Sequence, residues 1–134
     1  MPRLHVVAAG GKLPDWAEAA CADYARRMPK GYELARVAAK PERLLAAIPR
    51  NSRLVVLDER GTDLTTAQFS KLLGESTAFV VGGPNGLDEK IRRQAALLLR
   101  LSALTLPHAL AQVILHEQLY RGATLLVGHP YHRE

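Results

Sequence analysis

The chain has 134 residues, of which 48% are hydrophobic and 23% charged, and its formal net charge is +5 at pH 7. That length fits a single domain over residues 1–134, able to bury about two-thirds of the surface its unfolded form exposes, with no room for a second catalytic module. The composition excludes disordered, collagen-like and disulfide-scaffold classes, and the positive balance permits a polyanionic partner without identifying one. Cys21 is the only cysteine, so no internal disulfide forms; a reducing compartment is expected, with Cys21 as small core filler. No apolar run approaches the roughly 18 uncharged residues of a membrane span, and the opening segment MPRLHVVAAG has too short an apolar core for a signal sequence. A soluble cytoplasmic protein that touches no membrane is the expectation.

In chain order, short apolar or β-branched runs alternate with helical patterns, which predicts an α/β layered domain. A strand is expected at residues 4–9, then a helix over 15–28 set between Pro14 and Pro29. A second strand at 32–37 precedes a helix over 41–48 that carries Pro41 in its first turn. Strands at 53–57 and 78–81 flank a helix over 65–73. Their runs Leu54-Val-Val-Leu57 and Ala78-Phe-Val-Val81 read as fully buried parallel strands. A helix over 88–99 has Asp88 as its N-cap, a strand follows at 101–104, and the last helix runs over 107–123. No repeat, low-complexity tract or linker divides the chain.

The turn Val81-Gly-Gly-Pro-Asn-Gly86 sits between a buried strand and a helix. Its two glycines allow a backbone or a flat ligand to approach the strand's carboxyl end, and Asn85-Gly86 tolerates positive φ. A tight turn without a ligand is the plainer account. The turn is neither G-x-G-x-x-G nor a P-loop, which argues against nucleoside triphosphate chemistry. Ser52 and Ser102 lie outside any G-x-S-x-G elbow, and Cys21 lacks a neighbouring base, so serine and thiol catalysis are not indicated. His108 and His116 share the last helix without an H-E-x-x-H pattern, leaving only a loose metal alternative in His129, His132 and Glu134. In the 88–99 helix, Ile91, Ala95 and Leu98 share one face and Lys90 and Arg93 another. A solvated face with a Glu89–Arg93 i, i+4 pair is the default there, and phosphate tracking the alternative. The last helix is apolar around more of its circumference than one buried face needs, which suggests that a second copy of the chain covers the rest. The closing His129-Pro-Tyr-His-Arg-Glu134 is too rich in His, Tyr and Arg for an idle chain end.

Together, Pro14-Asp-Trp16, Val56-Leu-Asp58, the Gly-Gly-Pro turn through Leu87, Leu101-Ser-Ala-Leu-Thr-Leu-Pro-His108, Leu119-Tyr-Arg121 and the closing hexapeptide resemble, in order and over nearly the whole chain, the ribosomal RNA large subunit methyltransferase H family. These are the small pseudouridine-N3 members of the SPOUT methyltransferases. The resemblance implies a mostly parallel sheet with helices on both faces and a C-terminal trefoil knot, an exception to the rule against knotted connections. It implies S-adenosylmethionine as cofactor, bent within the knot and lined by Leu57, Gly82, Gly83, Leu101, Ser102, Ala103, Leu104, Thr105 and Leu106. It implies a homodimer in which Tyr131, His132 and Arg133 of one subunit complete the other's site, acting on 23S ribosomal RNA within the ribosome and needing no metal. His132, or a water it holds, is then the candidate general base; Arg133 anchors a phosphate or a charged ring carbonyl, and Tyr131 stacks on or bonds the base. The chain departs from the family in a shortened segment between the second strand and Arg53, and at Asn85, Ala109 and Gln112, the last often arginine. Two rivals remain: a noncatalytic RNA- or ribosome-binding factor, and a metal hydrolase using His129 and His132.

Overall fold

The computed structural model describes residues 2–83 and 86–132. Among them, strands β1 (Arg3–Ala9), β2 (Glu33–Ala39), β3 (Arg53–Asp63), β4 (Thr77–Val81) and β5 (Leu97–Arg100) form one sheet in the order β2-β1-β4-β3-β5. Every neighbouring pair is parallel. The helices are α1 (Asp15–Arg26), α2 (Leu44–Ala47), α3 (Thr66–Lys71), α4 (Glu89–Gln94) and α5 (His108–Leu126). The expected α/β layering is therefore present.

A parallel sheet is covered on both faces, and side chains alternate between them. On one face, Leu4, Val6 and Phe79 pack beneath Phe69 of α3 and Leu115, Leu119 and Ala123 of α5. On the other, Val7, Ala78 and Val80 meet Leu44 of α2 and Ile91 of α4. Strand β4 is consequently buried along its whole length, as its unbroken apolar run required. Helix α1 begins directly after Pro14 and sets Ala17 and Cys21 against Ala109 and Val113 of α5. Burial pushes the Cys21 thiol up to about 11, so it is packing material rather than a nucleophile. Helix α3 opens with a reciprocal capping box between Thr65 and Gln68.

Two expectations are corrected on the C-terminal side. The helix expected over 88–99 stops at Gln94, and the strand expected at 101–104 lies instead at Leu97–Arg100. A short continuous apolar run such as Leu97-Leu-Leu99 suits a helix or a buried strand equally by periodicity. Here it fills the vacant edge beside β3. The Ala96 amide donates to the Leu54 carbonyl at 2.8 Å, and Leu99 is buried. Residues 101–104 then leave the sheet through a turn in which Ser102 Oγ accepts from the Leu104 amide at 2.9 Å. The expected Glu89–Arg93 pair is replaced by one at i, i+3. Arg92 carries the ion pairs instead, at 2.8 Å to Asp58 and 4.0 Å to Glu89.

Strand β3 runs further than the expected 53–57 because it bulges. Leu99 of β5 faces Leu57 and, past a register shift, Thr62. The bulge lays Gly61 on the β5 backbone, where a Cβ would stand 2.7 Å from backbone atoms of Leu98 and Leu99. The Arg100 guanidinium forks onto the Asp63 carboxylate, with its Nε at 2.6 Å. Gly61→Ala should therefore push the bulge off β5 and destabilise the protein by about 2 kcal/mol, read as a lower denaturant midpoint at unchanged m-value. Gly74→Ala, where a Cβ meets nothing within 4 Å, should shift stability by no more than about 0.5 kcal/mol.

Candidate functional site at the carboxyl edge of the sheet

A cavity of about 640 Å³ opens where β3, β4 and β5 end and α5 begins. Open parallel sheets bind ligands at this edge, and the volume lies in the range of small-molecule sites. Eight of the nine residues expected to line a cofactor line it: Leu57, Gly82, Gly83, Leu101, Ser102, Leu104, Thr105 and Leu106. Ala103 does not; it is exposed on the turn between Ser102 and Leu104. Pro84 and Asn85 lie outside the described residues; on either side of them the Gly86 amide donates to the Gly83 carbonyl at 3.0 Å, with Gly86 at φ +77°. A Cβ on Gly82 would stand 2.8 Å from Leu87 Cγ, so the glycine lets the turn fold Leu87 back along the strand end.

The rim carries charges whose pairing no sequence motif announced. Asp58, whose side chain is 9% exposed, accepts from Arg92 at 2.8 Å and from the Arg60 backbone amide at 2.7 Å. The acid at the end of a buried strand was visible in the sequence; its partner across the fold was not. His108 in the first turn of α5 also lines the cavity. Its Nε2 is 2.7 Å from the Gln112 side chain, which meets Arg36 of β2 at 2.6 Å. Gln112, one of the departures from the family pattern, is fully buried.

Of the expected tail residues, Tyr131 and His132 fold onto the far end of α5, and Arg133 lies outside the described residues. The Tyr131 hydroxyl donates to Glu117 at 2.9 Å, and Arg121 donates to the same carboxylate at 2.8 Å. The Arg121 guanidinium also covers the Tyr131 ring at 4.9 Å, and that ring meets Tyr120 edge-on at 4.6 Å. Arg121 Nη1 donates to His132 Nδ1 at 3.1 Å. The neutral His132 ring thus carries its hydrogen on Nε2, and taking a proton from a substrate requires Arg121 to release Nδ1. At about 1.5 Å per helical residue, the first turn of α5 and Arg121 stand about 20 Å apart. The cavity-lining residues on one side and Tyr131 and His132 on the other are two separate clusters within one chain.

Among the described residues, no group of three or more His, Cys, Asp or Glu is placed to hold a metal ion. No helix among them is long and apolar enough to cross a membrane.

Residues 2–132 match the family described as predicted SPOUT methyltransferase. The chain is 47% identical to ribosomal RNA large subunit methyltransferase H of Verminephrobacter eiseniae, covering 98% of this chain and 99% of that relative. With the enzyme of the same name from Thiobacillus denitrificans it shares 46% identity at the same coverage. The alignment with the former spans 154 positions against 134 residues here, so 20 or more positions have no counterpart in this chain. Among solved structures it resembles the SpoU methyltransferase AviRb of Streptomyces viridochromogenes in complex with AdoMet. The TM-score is 0.55 at 16% identity, over 96% of this chain and 58% of that one, a likeness of fold.

Burial, and then the hydrogen bond to Glu117, push the Tyr131 phenol up to about 12. Its docking is therefore complete below pH 10, the ordinary tyrosine value, and lost as pH rises through about 12. The ultraviolet titration difference between wild type and Tyr131→Phe should show no phenolate appearing at pH 10; a full phenolate step there would refute this docking.

Proposed function

Because the chain belongs to the SPOUT methyltransferases, we propose that it transfers a methyl group from S-adenosylmethionine to N3 of a pseudouridine in 23S ribosomal RNA. It does so as a homodimer acting on the ribosome. The observation that carries this reading is one cavity at the sheet's carboxyl edge that gathers Leu57, Gly82, Gly83 and most of the stretch from Leu101 to Leu106.

The lining suits that cofactor. Apolar walls from Leu57, Leu87, Leu101 and Leu106 match an adenine, and glycines let the backbone approach it. The cofactor supplies a methyl group on a sulfonium, so the bond to sulfur breaks as the bond to N3 forms, and the N3 proton leaves to a base or to water. What remains for the protein is alignment, exclusion of water and care of that proton. Tyr131 stays neutral with its hydroxyl donated to Glu117; with Arg133 it positions the nucleotide. His132 serves as general base, directly or through a water it holds, once Arg121 lets go of its ring.

The distance along α5 supports completion by a second copy, since Tyr131 and His132 sit a helix length from the cavity of their own chain. Apolar surface supports it too. Trp16 on α1, and Leu110, Leu126 and Val127 along and beyond α5, remain exposed. The trefoil knot is also part of this proposal and rests on membership of the family.

Calorimetric titration should show saturable binding of S-adenosylmethionine. Gly82→Val, which drives a side chain into Leu87, should weaken it by about tenfold or more. Mapping methyl marks on ribosomal RNA with and without the protein identifies the product. Absence of both binding and mark would leave a noncatalytic RNA-binding factor. His132→Ala should lower methylation; an unchanged rate across a pH series would remove it as base.

A further inference from the structure

His108 has no role in the reading above, although it lines the cavity. The hydrogen bonds behind it settle what its ring can do. Arginine Nε only donates, so the Gln112 atom that meets Arg36 at 2.6 Å is the carbonyl Oε1. This fixes the orientation of the amide, and Nε2 of Gln112 is then the atom 2.7 Å from His108 Nε2. An amide NH₂ only donates, so His108 Nε2 accepts, and the ring hydrogen resides on Nδ1. The relay is well anchored. Gln112 is fully buried, the Arg36 side chain is 15% exposed and stands 3.8 Å from Glu18, and the Gln112 main-chain carbonyl accepts from His116 Nδ1 at 2.7 Å.

We propose that the Arg36–Gln112 pair locks His108 in its Nδ1–H form, so that His108 presents a hydrogen-bond donor, never a base, to an oxygen acceptor held in the cavity. The inference rests on the methyltransferase reading for the identity of that acceptor. Two oxygens share the required chemistry: the carboxylate of the cofactor, and a ring carbonyl flanking N3 that gains negative charge as the proton leaves. A preset donor serves either without reorganising, because Arg36 and Gln112 hold the ring whether or not a ligand is present.

The lock is read directly by long-range ¹H–¹⁵N correlation of the histidine rings in the free, labelled protein, with His108 assigned through His108→Ala. The expected pattern is a protonated Nδ1 and an unprotonated Nε2. Gln112→Glu supplies a carboxylate that accepts from both Arg36 and His108, and should exchange the two signals. Function is read in two arms. If the acceptor is on the cofactor, His108→Ala and Gln112→Glu should each weaken S-adenosylhomocysteine binding about tenfold. If it is on the nucleobase, affinity should hold while the single-turnover rate at saturating cofactor falls about tenfold. His108→Asn, whose amide donates from nearly the same place, should recover most of either loss. A wild-type ring protonated on Nε2, or His108→Ala leaving both affinity and rate unchanged, overturns the proposal. A wild-type protein that fails to bind S-adenosylhomocysteine overturns the donor role by removing the methyltransferase reading itself, a failure the ring signals tell apart from loss of the lock.

Discussion

Helix α5 is the constraint on which the functional architecture depends. Its first turn supplies a wall of the cavity and its later turns supply Glu117, Tyr120 and Arg121, on which the tail rests. Leu115, Leu119 and Ala123 fasten the helix to the sheet without any exposure. A helix so packed does not shorten, and it therefore sets a fixed interval between the cavity and the tail. Under the proposed reaction, which needs both, the two come from different chains.

The same helix buries polar groups in its middle. Gln112, His116 and Thr124 are all nearly inaccessible, and such groups are costly unless bonded. Each is bonded: Gln112 to Arg36 and His108, His116 to the Gln112 main-chain carbonyl, Thr124 to the Arg121 main-chain carbonyl at 2.7 Å. Desolvation is the main cause holding the His116 ring below the ordinary histidine range, so it is carried as a neutral donor. An apolar helix would have packed as well; the polar layer adds a directional connection from β2, through α5, to the cavity. Specificity of orientation, not stability, is what such a layer contributes.

Much of this was legible from residue order. The runs in β1, β3 and β4 are short, apolar and bounded by turn formers, and Pro14 and Pro107 mark the starts of α1 and α5. The Gly-Gly turn pointed to the carboxyl edge of β4, where the cavity lies. Periodicity failed at Leu97-Leu-Leu99, because a buried edge strand and a buried helical turn share one pattern and only the vacancy beside β3 decides between them. The β3 bulge was hidden for a related reason: Gly61 reads as a turn residue, whereas its missing Cβ is needed for contact with a strand far along the chain. Pairings such as Asp58–Arg92 and Arg36–Gln112 join residues distant in sequence and leave no local signal. The tail's unusual chemistry was plain in the sequence, but its resting place on Glu117 and Arg121 was not.

The claim that one subunit's cavity works with another's tail is tested most directly by mixing two defective proteins. One carries Gly82→Val in the cavity and the other His132→Ala in the tail, and each alone should be nearly inactive. Random exchange of subunits should restore about one quarter of the wild-type methylation rate, since half the dimers then hold one intact composite site. No recovery at any mixing ratio, with subunit exchange verified, would contradict the account.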